Sequence, residues 1–189
     1  MPLAPDEILV VSGLPRSGTS LVMRMLEAGG VPLLHDAERP ADEHNPHGYF
    51  EFTPVRQLKR DASWVPRARG HAVKVISYLL PFLPIGENYR VVLVERALGE
   101  VAASQDRMLR KAPAPLDDGL GTLMQRQNEG ALAWLDANHV PCLRLRFEAL
   151  HRDPAAEAAR LAVFAGCEHA VVAMAAAIDT RLYRNRMPD

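Results

Sequence analysis

The chain has 189 residues, a length that suits one domain with a sizeable core. A formal net charge of −1, with 24% charged residues, excludes the broadly basic surface that nucleic acid or an anionic membrane asks for, so any anion site has to be local. Two cysteines, Cys142 and Cys167, are too few for a disulfide framework, and their apolar or small neighbours predict buried thiols in a reducing cytoplasm. Met1 to Glu7 contains Asp6 and Glu7 and no basic start, which argues against a secretory signal. No apolar run approaches the roughly 20 residues that span a bilayer, so a soluble, cytoplasmic protein is expected.

Ile8 to Val11 are four apolar, β-favouring residues and predict a buried strand. Gly13 and Gly18 let the backbone curl closely around an anion, while Thr19 and Ser20 open a helix. Convergent amides, the helix-end dipole and Arg16 favour an oxyanion such as phosphate or sulfate. The spacing is that of a triphosphate-binding P-loop, but Thr19 stands where that loop carries the lysine that reaches the outer phosphates. The substitution argues against a conventional ATPase or kinase; a glycine-containing strand-to-helix turn with no ligand is the plain alternative.

Leu21, Met25 and Leu26 form an apolar stripe that stops at Gly29 and Gly30. Residues 31–70 are polar and proline-rich, with Tyr49, Phe50, Phe52 and Trp64 interspersed, and read as a functional loop or a disordered excursion. His35, Asp36, Glu38, Glu43, His44 and His47 cluster there, but their spacing matches no helical zinc pair, and they read as solvated loop residues with no metal.

His71 to Ser77 predict a second strand with Lys74 the odd residue in it. Tyr78 to Pro84 predict a short helix, Arg90 to Glu95 a third strand, and Gly99 to Leu109 a helix with Val101, Ala102, Met108 and Leu109 inward. Ala112 to Pro115 form a connector. Leu116 to Asn138 predict a longer helix burying Leu120, Leu123, Met124, Ala131, Trp134 and Leu135, weakened by Gly119, Gly121 and Gly130. A strand over Val140 to Phe147, a helix starting at Pro154 and an alanine-rich helix over Ala170 to Ile178 complete the pattern.

Pro15-Arg16-Ser17-Gly18-Thr19-Ser20 resembles the 5′-phosphosulfate loop of sulfotransferases. Val91 to Arg96, followed by Ser104 eight positions on, resembles the family's strand and helix that hold the 3′-phosphate of the donor. Asn45 to Glu51 is similar to a stretch of bacterial members. Phe147-Glu148-Ala149-Leu150, Asp153-Pro154 and Phe164-Ala165-Gly166 are similar to later elements, with Phe147 in place of the usual tyrosine. The resemblance runs from about Ile8 to Gly166. The C-terminal Gly-x-x-Gly-x-x-Lys element of many cytosolic members is absent; either Arg181, Arg184 and Arg186 supply its charge or they form a solvated tail.

With the alternating strand and helix signals, the fold expected is three-layer α/β/α with a mostly parallel sheet, of the P-loop nucleoside triphosphate hydrolase type, in one domain over residues 1–189. The resemblance implies a donor, 3′-phosphoadenosine 5′-phosphosulfate, held by Arg16, Ser17, Gly18, Thr19, Ser20, Arg96 and Ser104, and leaving as adenosine 3′,5′-bisphosphate. A sulfuryl group passes to a hydroxyl or amine of a small-molecule or peptide acceptor. Lys74 either snorkels to solvent, as lone strand lysines do, or, as in tyrosylprotein sulfotransferases, neutralises the transferring group. Arg16, Lys74 and Asp36 are the catalytic candidates, with Glu38, His47 and Glu51 alternatives to Asp36 as base. A P-loop kinase using Glu95 as a metal-binding carboxylate, or an inactive nucleotide-binding module, are the competing readings.

Overall fold

Strand β1, Glu7–Gly13, is the centre of the fold, and its residues Ile8 to Val11 are each at most 1% exposed. The structure, a computed structural model, describes residues 2–36, 38, 42, 45–109 and 116–179. Parallel to β1 lie β2, Ala72–Lys74, on one side and β3, Asn88–Glu95, on the other, with β4, Cys142–Arg146, beyond β3. The order β2-β1-β3-β4 is a parallel α/β sheet, as the strand and helix alternation predicts.

Both faces of the sheet are covered, which is why its central strands read as unbroken apolar runs. Leu9, Val11, Val92 and Val94 face α1, Thr19–Ala28, together with α5, Pro154–Ala165, and α6, Val171–Ala176. Ile8, Val10, Val73 and Val91 face the opposite layer, which holds α3, Asp118–Ala137, and the 3₁₀ turns Thr53–Gln57, Val65–Ala68 and Ser77–Phe82. At the carboxyl ends of β3 and β4 stand α2, Leu98–Met108, and α4, Phe147–Arg152.

Several local expectations are corrected. The short helix expected over Tyr78 to Pro84 forms as a 3₁₀ helix over Ser77–Phe82, since Pro81 inside it has no amide to give an α ladder. Leu109 and Leu123 are 51% and 52% exposed. Leu109 falls beyond the end of α2, and Leu123 is one position off the buried Met124, Ala131, Leu135 face of α3. Despite its glycines α3 forms, with Asp117 accepting the Leu120 amide at 2.8 Å to cap its start. Cys167 is buried as expected; Cys142 is exposed, since it begins the edge strand of the sheet. Tyr49, Phe52 and Trp64 are core residues, 4%, 7% and 4% exposed, so the polar stretch also supplies apolar filling. Glu43, His44, Ala112 to Pro115, Arg181, Arg184 and Arg186 lie outside the described residues. Among the described residues no helix is long and apolar enough to cross a membrane.

Candidate functional site: a cationic crevice at the carboxyl edge of the sheet

The loop from Leu14 to Gly18 is closed by the Ser17 amide donating to the Leu14 carbonyl at 3.0 Å. Helix α1 starts at Thr19 without a side-chain cap among the described residues, leaving first-turn amides at the loop. Arg16 takes a left-handed backbone, φ 74°, a conformation that costs energy for a residue with a side chain. What that conformation achieves is a bridge. The Arg16 Nε donates to the Ser104 hydroxyl at 3.1 Å, and the Arg16 carbonyl accepts from the Arg96 guanidinium at 3.1 Å.

Three residues singled out from separate stretches of sequence therefore meet in one hydrogen-bonded group. Arg96 is further fixed by an ion pair with Glu100, 2.9 Å, in which the side chains are 6% and 3% exposed. Its guanidinium lies over the Phe147 ring at 4.2 Å, and His151 meets the same ring edge-on at 4.6 Å. The resemblance implies that Arg96, with Ser104, holds the donor's 3′-phosphate. In the fold it is half of a buried pair, so the positive character beside it comes also from Arg16, Arg24 and Arg107.

Lys74 forms a second group and does not snorkel: at the end of β2 it is 8% exposed. Its ammonium donates to the Tyr49 carbonyl and lies 3.5 Å from the Ser20 hydroxyl, which itself reaches the Tyr49 carbonyl at 3.3 Å. The turn that presents this carbonyl is built by Asn45, whose carbonyl accepts from the Gly48 amide at 3.0 Å and whose side chain donates to the Gly48 carbonyl at 2.6 Å. The Asn45 to Glu51 stretch is thus a strap across the loop. At its end Glu51 lies 3.9 Å from the Lys74 ammonium and 2.8 Å from Arg56.

Both groups line one cavity of about 640 Å³, in the size range of small-ligand sites. Arg16, Gly18, Thr19, Ser20, Lys74, Arg96 and Ser104 are all among its walls, as are His47 and Glu51. Ser17 is not; its buried hydroxyl lies under the loop without a hydrogen-bond partner among the described residues. Asp36 and Glu38 are also outside the walls. Asp36 accepts the Thr53 amide at 2.6 Å and the Glu38 amide at 3.2 Å. Partial burial pushes its carboxyl up, but these hydrogen bonds and the Arg56 charge outweigh it and hold the group below the usual carboxylate range, which suits a cap better than a proton acceptor.

Asp36→Ala is accordingly expected to lower unfolding stability by about 0.5–2 kcal/mol, as loss of a turn cap does. A carboxylate with a depressed folded pKa stabilises above its unfolded pKa and loses that contribution as pH falls through the folded value. The wild-type advantage in urea unfolding should therefore shrink in acid; an advantage that grows there rules out the cap.

Arg24, Arg107 and His151 are wall residues not singled out from the sequence, and Phe147, noted there only as replacing a tyrosine, is another. Arg24 stands four positions after Ser20 on α1, and His151 four after Phe147 on α4, so helical spacing alone puts each beside a site residue. Burial lowers the Arg24 pKa from its ordinary value, against the opposing pull of Asp179. Glu95, the carboxylate of the kinase reading, is bound by Arg144 at 2.5 Å and is not a wall residue. Among the described residues no three His, Cys, Asp or Glu side chains are grouped to hold a metal ion.

Fold and site together define an α/β protein with a cationic crevice at the carboxyl ends of its parallel strands. No protein-family model matches the chain, and no curated protein matches it. Among solved structures it is similar to the sulfotransferase domain of the olefin synthase from Synechococcus PCC 7002, with a TM-score of 0.49 and 16% identity, over 98% of this chain and 78% of that one.

Proposed function

We propose that the protein is a sulfotransferase that moves a sulfuryl group from 3′-phosphoadenosine 5′-phosphosulfate to a hydroxyl or amine of an acceptor. The observation that carries the reading is the cluster of Arg16, Arg96 and Ser104, drawn from the β1 loop, the end of β3 and α2 into one cavity wall. Support also comes from the loop and Arg-to-Ser spacings, which resemble those of sulfotransferases, and from Thr19 at the kinase lysine position.

The amides of Gly18, Thr19 and Ser20, with Arg16, would hold the 5′-phosphosulfate, and Arg96 with Ser104 the 3′-phosphate. Bound, the donor supplies an activated sulfuryl group, whose bond to the acceptor atom forms as its bond to the phosphate-bridging oxygen breaks. Lys74, anchored on the Tyr49 carbonyl, offers a fixed positive charge at the loop, where negative charge gathers. Glu51 is the base this geometry favours over Asp36, since it borders the cavity 3.9 Å from Lys74.

Thermal shift decides the donor. A ligand at a hundred times its Kd stabilises by about 2.7 kcal/mol, so adenosine 3′,5′-bisphosphate should raise Tm more than ADP at equal concentration. Equal shifts, or none, overturn the reading. Transfer of labelled sulfate that persists in EDTA separates it from a magnesium-dependent kinase, and no transfer to any acceptor separates an inactive nucleotide-binding module.

A further inference from the structure

The cavity has two unlike halves, and the strand order shows why. With the order β2-β1-β3-β4, the loop after β1 sits between them. Arg96, Ser104, Phe147 and His151 follow β3 and β4, on one side. Past β2, on the other, the walls are Ile76, Tyr78 and Leu79, with Tyr49, Phe52 and Val55 from the strap and the turn after it. Phe52, Val55 and Leu79 are rooted in the core beneath and are at most 7% exposed, so this apolar wall is preformed. Tyr78 is 38% exposed, its ring held under the Lys59 ammonium at 5.5 Å.

Polar groups border this half along the strap, at Asn45 and His47, and where Glu51, Lys74 and Arg56 meet. We infer that the β2-side half is the acceptor subsite, and that it takes a small molecule carrying its hydroxyl on a flat, uncharged apolar body, a phenol in preference to a sugar. Calling the occupant an acceptor rests on the sulfotransferase reading; the apolar selectivity rests on the walls alone. A sugar would set several hydroxyls against Phe52, Val55, Ile76 and Leu79, which offer no hydrogen bonds, whereas an apolar ring gains by leaving water there. A phenolic proton is more acidic than an alkyl alcohol's. Placed between Glu51 and Lys74, it passes to the carboxylate while the ammonium stabilises the oxyanion left behind.

The test is calorimetric titration of 2-naphthol and of N-acetylglucosamine, each into protein saturated with adenosine 3′,5′-bisphosphate and into nucleotide-free protein. In both states 2-naphthol should bind at least about tenfold more tightly than the sugar, the discrimination an apolar wall supplies. Ile76→Asp should weaken naphthol about tenfold or more and leave the bisphosphate affinity unchanged. Tyr78→Ala, at a partly exposed position that folding tolerates, should weaken it in the same direction. A sugar that binds as tightly, or a naphthol affinity untouched by both substitutions, overturns the inference. Failure of the bisphosphate to bind counts against the sulfotransferase reading, and the nucleotide-free titration still decides the apolar half.

Discussion

Arg96→Ala is expected to abolish the preference for a 3′-phosphorylated nucleotide and, separately, to destabilise the fold by about 3–5 kcal/mol, the cost of breaking a buried ion pair. The second effect follows from Glu100, which is 3% exposed and loses its 2.9 Å partner. Alanine alone therefore confuses binding with folding. The double variant Arg96→Gln, Glu100→Gln resolves the two, because a neutral amide pair of similar shape keeps a hydrogen bond and needs no countercharge. It should regain most of the stability in urea unfolding, while the Tm advantage of adenosine 3′,5′-bisphosphate over ADP stays lost. An advantage retained in the double variant assigns Arg96 to holding Glu100 and Phe147, not a phosphate.

This pairing also shows what the sequence made legible. The strand, loop and α1 could be read because an apolar run, two glycines and a helix start are local signals that need no tertiary partner. Arg96 and Ser104 stand out only through the resemblance of their segment to the sulfotransferase strand and helix. Glu100 was equally within reach, lying four positions after Arg96 on the first turn of α2, where opposite charges meet. Residues 45–70 were harder. Their 3₁₀ turns run to four or five residues, too short for a hydrophobic period to show, so the burial of Phe52 and Trp64 comes from joining the core cluster that also holds Val10 and Leu80 and not from any local pattern. Phe147 carried no polar signal; its place in the crevice is set by β4 ending next to β3 and by the lack of a Cβ at Gly18, against which its ring packs.

Gly13→Ala is the substitution expected to cost the loop most. In the parallel register Gly13 lies beside Val94, and an added Cβ would stand 2.5 Å from the Val94 carbonyl oxygen and 2.4 Å from the Ser17 hydroxyl. The hydroxyl can rotate away. The carbonyl belongs to the central strand and cannot move without shifting β3, and the φ of 155° is itself unfavourable for alanine. Gly18→Ala meets a similar wall, since its Cβ would stand 2.4 Å from the Phe147 ring, whose face Arg96 covers at 4.2 Å. Losses of about 2–4 kcal/mol are expected at each position, the upper range for strain combined with overpacking. Gly130→Ala is the control. Nothing lies within 4 Å of its Cβ position in α3, so alanine there should stabilise by up to about 1 kcal/mol through helix propensity alone. Urea unfolding of the three variants should order them Gly130→Ala, wild type, then the two loop substitutions. A Gly13→Ala protein as stable as wild type means that the loop does not pass this close to β3, and the crevice built on that approach has to be redrawn.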